Sequence, residues 1–237
     1  MKPFRPTAHL YDLVYSHLDY PAHAAHVEEV VRSRAPHAAS LLDVACGTGL
    51  HLGIWRDRFE WVEGVDIDGA MLEVARDRLP GVTLTEADFT DFDLGRTFDA
   101  VTCLFSSIGY AVSEDGLVAA CSVMARHLTP GGVLVVEPWL RPDTIEGSPL
   151  RLHTIETEDT IVARTSRMTY DTEVSDIVMD YLVTTMEGSQ LYSERHVMGT
   201  FTVDQYVDAL TTAGLNAQFD ETGTLLGRGL AIGVKPA

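Results

Sequence analysis

Leu41-Leu42-Asp43-Val44-Ala45-Cys46-Gly47-Thr48-Gly49 is the stretch of sequence that decides the fold of this chain. The apolar run from Leu41 to Ala45, interrupted only by Asp43, predicts a short parallel strand that is buried on both faces. Two glycines follow directly, and the next residues can open a helix. A strand, a glycine turn and a helix form the first half of a nucleotide-binding βαβ unit. The glycines permit positive φ and let a ligand approach the backbone closely.

A second strand is predicted from Trp61 to Asp66, and it ends in a carboxylate. Asp66 follows Gly49 by 17 positions, close to the spacing of about 20 residues at which a carboxylate meets ribose hydroxyls. Such a carboxylate accepts hydrogen bonds from the diol of an adenosine ribose and repels a 2′-phosphate. The sequence therefore predicts an adenosine ligand that carries no 2′-phosphate.

The order of the acidic residue and the glycines separates two kinds of adenosine ligand. A dinucleotide site usually has G-x-G-x-x-G, which places a pyrophosphate at the helix N-terminus, and this chain has no third glycine at that spacing. Here Asp43 precedes Gly47 and Gly49. A carboxylate is unhelpful beside a pyrophosphate and tolerable beside a sulfonium and an ammonium. The pattern resembles motif I of the class I S-adenosylmethionine-dependent methyltransferases; the alternative is a glycine turn in an α/β protein that binds something else.

The composition is that of an ordinary globular protein, with 237 residues, 46% of them hydrophobic and 22% charged. The net charge of −18 argues against a nucleic acid partner, because no basic face can easily be assembled. No apolar run approaches the ~20 residues of a membrane span, and no apolar signal core is seen at the start. The three cysteines, an odd number in core or strand-end positions, indicate reduced thiols and a cytoplasmic protein.

Alternating helices and strands are predicted along the rest of the chain. Two N-terminal helices should form a lid, the second running from Pro21 to about Arg34. After Asp66, strands are expected over 82–85, 98–104 and 133–137, with a helix that Asp68 caps over 69–79, another that Ser113 caps over 114–128, and a turn over 129–132. Four strand-like segments follow, over 151–157, 160–170, 174–186 and 190–200. After them come a helix over 202–213, a strand that contains Phe219 and a last strand over 230–234.

This order predicts a Rossmann-like, doubly wound α/β fold. Its mostly parallel, seven-stranded sheet should carry an inserted antiparallel β-sheet after the fifth strand and an N-terminal helical lid. We expect one domain over 1–237, with the lid in 1–38, the cofactor-binding core in 39–140, the inserted sheet in 141–200 and the C-terminal part of the core in 201–237.

Several sequence motifs, taken together, resemble those of the nucleotide-sugar amine N-methyltransferases. They are Tyr11-Asp12-Leu13-Val14-Tyr15, the Leu41 to Gly49 stretch, Phe105-Ser106-Ser107-Ile108-Gly109-Tyr110, Val136-Glu137-Pro138-Trp139 and Gly227-Arg228-Gly229-Leu230. Enzymes of that family methylate the amine of dTDP-linked deoxyaminosugars in the desosamine and mycaminose pathways of macrolide biosynthesis. The similarity covers most of the chain and is weakest over 143–200. It implies S-adenosyl-L-methionine as cofactor, a nucleotide-sugar as acceptor and a homodimer.

The resemblance also implies roles for matching positions. Asp66 would hold the ribose, and Asp88 with the Phe89 amide would hold the adenine; without the resemblance, Asp88 is interpreted as a simple turn or cap residue. The other implied cofactor contacts are Tyr15, Tyr20, Asp43, Ala45, Gly47, Gly49, Ile67, Leu104 and Phe105. The nucleotide-sugar would be faced by Tyr110, Trp139 and Arg228. Some relatives carry a histidine where this chain has Tyr110.

Methyl transfer from a sulfonium is an in-line displacement, so alignment is the main task of the protein. A sugar amine has a neutral fraction near neutral pH, and a group that orients it is sufficient. The candidates for this role are Tyr15, Tyr110 and Glu137. For Glu137, the alternative is a structural role at the end of the fifth strand. Arg228, between two glycines, is the first candidate for binding a diphosphate; Arg141 and Arg151 are weaker ones.

The N-terminal histidines do not share one helical face. They are interpreted as surface or lid residues and not as a metal site: His9, His17, His23 and His26. Two other functions remain open at this point. One is methylation of another small acceptor, such as an amino acid, a phenol or a peptide natural product. The other is a non-catalytic or dinucleotide-binding α/β protein.

Overall fold

A computed structural model describes residues 7–145, 150–222 and 227–237 of the chain. Residues 1–6, which begin the predicted lid, lie outside the described residues. The prediction that no apolar signal core is present at the start concerns the same residues. The strands are β1 (Ser40–Val44), β2 (Trp61–Asp66), β3 (Thr83–Glu86), β4 (Phe98–Cys103), β5 (Leu128–Val136), β6 (Leu150–Glu156), β7 (Thr160–Tyr170), β8 (Val174–Thr185), β9 (Gly188–Gly199), β10 (Asn216–Asp220) and β11 (Leu230–Val234). The α-helices are α1 (Tyr11–Val14), α2 (Tyr20–Arg32), α3 (Leu50–Trp55), α4 (Gly69–Arg78), α5 (Glu114–Arg126) and α6 (Val203–Thr212), and 3₁₀ helices span Ala8–Leu10 and Ser107–Ala111.

The main sheet has seven strands in the order β10-β11-β5-β4-β1-β2-β3. Strands β1 to β5 run parallel, while β11 is antiparallel to both β5 and β10. The chain adds β2 and β3 on one side of β1 and then returns to add β4 on the other side. In open α/β sheets a ligand crevice lies at the carboxyl ends of the strands where the order reverses. The predicted fold is confirmed, and it places that crevice after β1 and β4.

The central strand β1 is apolar because both of its faces are covered. Leu42 and Val44 belong to one core cluster, which includes Leu117 of α5. Leu41 belongs to a second cluster, which includes Leu52 of α3. All three strand residues are fully buried. Burial of each such side chain contributes about 1.5–3 kcal/mol, so the core fixes β1 and, with it, the turn that follows.

The predicted helix starts are confirmed by their caps. The Asp68 side chain accepts from the backbone N–H of Ala70 at 3.0 Å, and the Ser113 side chain accepts from that of Gly116 at 3.1 Å. Asp19 caps α2 in the same way, with a proline in the first turn. These side chains satisfy backbone donors that have no partner within the helix.

β5 already begins at Leu128, so the turn predicted over 129–132 lies inside the strand as a bulge, with φ of 78° at Gly131. The β4–β5 register shifts between Phe98 and Ala100, and an irregularity of this kind accommodates Pro130, which has no N–H to donate. On the other side, Gly131 N donates to Lys235 O at 3.0 Å and Lys235 N donates to Gly132 O at 2.9 Å. Pairing with the distant C-terminus therefore extends the strand through a local turn sequence.

The four strands β6 to β9 form a second, antiparallel sheet in that order, close to the predicted segments. Val162, Tyr181 and Val183 on its inner face form a core cluster with Leu10 and Val14 of the N-terminal segment. The inserted sheet and the N-terminal helices therefore pack against each other. Within the described residues, none of the helices has the length and apolar character that crossing a membrane requires.

Candidate active site

A cavity of about 630 Å³ opens at the predicted crevice. Its walls include Asp66 and Ile67 from the end of β2, Tyr110 from the second 3₁₀ helix and Val197 from β9. A narrow cavity shares Tyr11, Ala45 and Gly47 with the large one, and its own walls include Asp43, Tyr20, Leu104 and Phe105. Both cavities lie at the carboxyl ends of the central strands, and residues of the N-terminal lid form part of their walls.

The glycine turn has the backbone that its sequence predicts. Ala45, Gly47 and Gly49 have φ of 57°, 57° and 78°. A Cβ on Gly49 would lie 2.7 Å from Leu79 Cδ1, whereas one on Gly47 would meet nothing within 4 Å. Gly49 thus allows α3 to approach the end of α4, and Gly47 leaves open space at the cavity wall. Ala45 adopts a conformation that costs a non-glycine residue about 1–3 kcal/mol.

Asp66 is buried at the end of β2 and holds the glycine turn. Its Oδ2 accepts from Gly47 N and its Oδ1 accepts from Asp68 N, each at 2.8 Å. Burial raises the pKa of Asp66, and these backbone hydrogen bonds oppose the rise. A carboxylate has about four lone-pair sites, so each oxygen keeps acceptor capacity toward the cavity. This arrangement fits the two hydroxyls of a ribose.

Asp43 is a buried carboxyl group on the wall of the narrow cavity. Thr102 Oγ1 donates to its Oδ1 at 2.8 Å. Burial raises the pKa of Asp43 to about 7, and the charge of Asp66 adds to the rise. A cation placed in the narrow cavity would favour the ionised form. The site therefore fits a ligand that brings a positive charge to the glycine turn.

Asp88 is exposed, and its Oδ1 accepts from Thr90 N at 2.8 Å and from Thr90 Oγ1 at 2.7 Å. This is the turn role that the sequence left open for Asp88. The residue also lines the large cavity together with Phe89 and Ile67. A contact between Asp88 and an adenine stays a prediction.

The loop after β4 is held by Glu137 from the end of β5. Phe105 and Ser106 have positive φ of 55° and 65°, and Phe105 N donates to Glu137 Oε2 at 2.7 Å. Glu137 is fully buried and does not line either cavity. The structure therefore supports the strand-end role of this carboxylate, which fixes a strained loop at the cavity wall.

Three tyrosines of the N-terminal segment surround Phe105. Tyr15 meets its ring edge to face at 5.1 Å, and Tyr20 lies nearly parallel to it at 6.0 Å. Tyr11 packs against Tyr15 at 4.7 Å and lines both cavities, which Tyr15 does not. Sequence reasoning missed Tyr11 as a site residue, although its i, i+4 spacing from Tyr15 was a signal that the two rings share a face.

A polar contact closes this lid onto the glycine turn. Thr48 Oγ1 donates to Asp12 Oδ1 at 2.6 Å, and Arg78 pairs with the other oxygen of the same carboxylate. Arg78 also donates to the carbonyl of Thr48 at 2.5 Å. The first helix, the turn after β1 and the end of α4 are thereby joined at one point.

The N-terminal histidines are predicted to be surface or lid residues, and His23 of α2 is a lid residue that is buried and not on the surface. This side chain is buried, with its Nδ1 2.9 Å from Nε2 of His51, a wall residue of the narrow cavity. Burial lowers the pKa of His23 to about 4 and that of His51 to about 3. His23 is inside because α2 packs against α3. His9 and His17 are exposed. Among the described residues, no cluster of three or more histidine, cysteine or acidic side chains is arranged to hold a metal ion.

The three residues that are predicted to contact the nucleotide-sugar do not lie together on the wall of one cavity. Tyr110 lines the large cavity, but Trp139 and Arg228 do not line either cavity. The Arg228 guanidinium lies 4.3 Å from the ring centroid of Trp139 and donates to Ser106 Oγ at 2.5 Å. Trp139 Nε1 donates to Ser175 Oγ at 2.7 Å. Their contact with an acceptor stays a prediction.

Of the two weaker arginine candidates, Arg141 pairs with Asp143 and Glu221 at 3.3 and 2.9 Å, and Arg151 is exposed.

Comparison with known proteins assigns a family to this geometry. A family model for a methyltransferase domain matches residues 41–132. The chain is 43% identical to dTDP-3-amino-3,6-dideoxy-alpha-D-glucopyranose N,N-dimethyltransferase of Streptomyces fradiae, over 97% of this chain and 91% of that protein. It is similar to the structure of Streptomyces venezuelae DesVI, with a TM-score of 0.91, 40% identity and coverage of 97% and 98% of the two chains. It is also similar to S-adenosylmethionine-bound CalS10, an amino pentose methyltransferase from Micromonospora echinaspora, with a TM-score of 0.86, 39% identity and coverage of 95% and 96%.

Proposed function

This chain belongs to the family of S-adenosylmethionine-dependent methyltransferases that includes the dTDP-aminosugar N,N-dimethyltransferases, and we propose that it methylates the amine of a dTDP-linked deoxyaminosugar in antibiotic biosynthesis. The near-full-length similarity to enzymes named for that reaction carries the proposal. It includes the inserted sheet and the lid, whereas trans-aconitate 2-methyltransferase and cypemycin N-terminal methyltransferase match only about half of the chain in sequence.

The residues of the two cavities fit the cofactor from end to end. Asp66 would bind the ribose hydroxyls with lone pairs that its backbone partners leave available. Asp43 would face the charged methionine portion, where a cation relieves the cost of a buried carboxylate. The remaining contacts that we propose are those of Ala45, Gly47, Tyr20 and Leu104 on the methionine side, and Ile67, Asp88 and Phe89 around the adenine.

When bound, S-adenosylmethionine supplies an electrophilic methyl group on a sulfonium. The protein then has to hold the acceptor nitrogen in line with that methyl group and keep water out. The lid rings of Tyr11, Tyr15 and Tyr20 around Phe105 supply the covering. Tyr110 offers a hydroxyl on the wall of the large cavity for orienting the amine. Good alignment of two reacting groups alone contributes about 7–11 kcal/mol.

We propose in addition that the protein acts as a homodimer in the cytoplasm. The outer face of the second sheet exposes Leu150, Leu152, Leu182 and Leu191, with 65, 68, 43 and 80% of their surface accessible. The register puts all four on one side of the sheet. Exposed apolar side chains that share one face of a sheet support a surface that is covered by a partner. The three cysteines are buried thiols, which suits a reducing compartment.

Mass spectrometry of acceptor panels tests the proposed function. The wild-type protein is incubated with S-adenosylmethionine and a set of dTDP-linked aminosugars, together with free amino acids, phenols and peptides. We expect one or two added methyl groups on an aminosugar and none on the other acceptors. Methylation of an amino acid, phenol or peptide in place of every aminosugar would contradict the proposed acceptor class.

A further inference from the structure

We propose that Tyr110, His196 and Glu194 form a relay that removes a proton from the acceptor amine, so that the nitrogen presents a lone pair before each methyl transfer. The inference rests on the proposed function, because it concerns the same amine. Tyr110 is the member that touches the acceptor, and the two residues of β9 act through it.

The geometry places the three side chains in a row. Tyr110 Oη lies 2.7 Å from Nδ1 of His196. On the other side of the imidazole, His196 Nε2 lies 3.5 Å from Glu194 Oε2. His196 and Glu194 are 2 and 3% exposed, and their i, i+2 spacing on β9 puts both on one face of the strand. The row runs from the wall of the large cavity into the protein interior.

The second oxygen of the inner carboxylate is also occupied. Thr7 Oγ1 donates to Glu194 Oε1. This contact fixes the orientation of the Glu194 carboxylate, because one oxygen is held by the N-terminal segment while the other stays beside the imidazole. Sequence reasoning did not single out Glu194 or His196, since a histidine in a strand is usually a packed core residue.

The proton positions follow from the partners of the imidazole. A carboxylate beside Nε2 favours the tautomer with its proton on that nitrogen, which leaves the Nδ1 lone pair for the Tyr110 hydroxyl. Burial raises the pKa of Tyr110, so its phenol is protonated at neutral pH and donates to Nδ1. A lone pair of Tyr110 Oη remains to accept a hydrogen bond from the amine.

The proposed step moves two protons in a balanced way. The amine N–H bond breaks as its proton joins Tyr110 Oη, and the original phenol proton passes to Nδ1 of His196. The products are a neutral amine, an unchanged tyrosine and an imidazolium that lies beside the Glu194 carboxylate. After the methylated product leaves, the imidazolium returns this proton through Tyr110 to water in the large cavity and the relay is reset. No oxidant, reductant or metal ion takes part.

The chemistry of the acceptor explains why such a group is useful. An alkylammonium such as that of lysine has an ordinary pKa of about 10.4, so most of the amine lacks a lone pair at neutral pH. Each transfer also leaves the nitrogen positively charged, and a second transfer requires that proton to depart. The aromatic lid limits access of water to the crevice, which makes an internal acceptor the direct route.

Other titratable groups near the relay do not compete for the proton at neutral pH. Tyr181 of β8 has its pKa raised by burial and then by Glu194, so it is protonated as well. Asp66 of β2 is engaged with Gly47 and Asp68. The remaining groups that act electrostatically on Tyr110 or Tyr181 are Tyr11 and Tyr15 of the N-terminal segment and Arg164 of β7.

Variant kinetics against pH test the relay. Tyr110→Phe keeps the ring and removes the hydroxyl, and His196→Gln removes the proton acceptor. His127→Gln is the matched control, because His127 is also 2% exposed but bonds the carbonyl of Val123 in another part of the fold. Turnover is measured from pH 6.5 to 10 with the unmethylated and the monomethylated aminosugar, and thermal unfolding and binding of S-adenosylhomocysteine are measured in parallel.

At pH 7 we expect both relay variants to lower kcat by about 100-fold, the lower end of the range of general acid–base catalysis, with KM changed by less than about 3-fold. The loss should shrink toward pH 10, where solvent deprotonates the amine, and the control should keep the wild-type pH profile. A loss that is equal at all pH values would indicate a structural role and overturn the relay, and so would unchanged kcat in both variants.

The tautomer of His196 gives a readout without turnover. Nitrogen-15 NMR of the wild-type protein at neutral pH should show His196 protonated at Nε2 and not at Nδ1. The opposite tautomer would overturn the relay even if the variants are slow. A wild-type protein that methylates no aminosugar contradicts the acceptor class and the relay together, whereas an active wild type with unaffected variants contradicts the relay alone.

Discussion

The carboxylate of Asp66 accepts a hydrogen bond from the backbone N–H of Gly47, with a distance of 2.8 Å between the nitrogen and Oδ2. One residue ends β2 and the other lies in the turn after β1. The contact joins the two halves of the βαβ unit at the cavity where an adenosine is expected, so the glycine turn and the ribose site are one structure.

Asp66→Asn should weaken binding of S-adenosylmethionine and S-adenosylhomocysteine by about 10- to 150-fold, because a hydrogen bond to a charged group contributes about 1.5–3 kcal/mol. Titration calorimetry measures both affinities. Asp88→Asn is the control, since Asp88 lines the same cavity but is exposed and bonded to Thr90. We expect a smaller loss there, and an equal loss in the two variants would remove the special role of Asp66.

Asp43 should make cofactor binding depend on pH. Its pKa of about 7 in the folded protein exceeds the ordinary value of about 3.9, so the folded chain holds this proton more tightly than the unfolded chain. Its contribution to the free energy of unfolding is therefore full below about pH 4 and is lost as pH rises to about 7. Binding of a cationic cofactor should strengthen by up to about 10-fold from pH 6 to 8 as the carboxylate ionises.

The pH effect is checked by calorimetry on two variants. Asp43→Asn should remove the pH dependence that is specific to this carboxyl. Thr102→Val removes the hydroxyl that stabilises the ionised form, so the midpoint should move to higher pH. Identical pH profiles for the wild type and Asp43→Asn would contradict the assignment.

Glu137 should act on the loop after β4. Glu137→Leu leaves the partly buried N–H of Phe105 without its acceptor, and we expect a loss of about 1–3 kcal/mol in the free energy of unfolding together with a higher KM for S-adenosylmethionine. Glu137→Gln keeps an acceptor and should show smaller changes in both. Chemical denaturation and steady-state kinetics make the comparison. Equal losses of kcat in both variants, with stability unchanged, would instead support the role of Glu137 in orienting the amine.

Arg228→Ala should raise KM for the nucleotide-sugar by about 5- to 150-fold, the equivalent of about 1–3 kcal/mol of charge-assisted hydrogen bonding to a diphosphate. Arg56→Ala is the control, because Arg56 is an exposed arginine at the C-terminal end of α3. Steady-state kinetics with saturating cofactor measure the effect. An unchanged KM in Arg228→Ala would exclude this residue from the acceptor site and leave it the packing partner of Trp139.

The central strands and the glycine turn could be predicted because their signals are local. The apolar run of β1, the positive φ at Gly47 and Gly49 and the caps at Asp68 and Ser113 all lie within a few residues of the structure they specify. The doubly wound, mostly parallel arrangement followed from the alternation of strands and helices.

The features that could not be predicted depend on contacts between distant parts of the chain. Tyr110 and His196 are separated by 86 positions, and no local pattern joins them. His23 is buried only because α2 packs against α3, and β5 begins at Leu128 because that residue pairs with Phe98 of β4. The role of Glu137 as acceptor for Phe105 N–H is of the same kind, since it links the ends of two neighbouring strands.

A crystal structure with S-adenosylhomocysteine and a dTDP-aminosugar tests the central claim most directly. We expect the ribose hydroxyls to lie within hydrogen-bond distance of the Asp66 carboxylate and the amino-acid end of the ligand to lie beside Asp43. We expect the sugar amine to lie in the large cavity next to Tyr110. A cofactor bound away from the end of β2, or a sugar amine that points away from the sulfur atom, would contradict it.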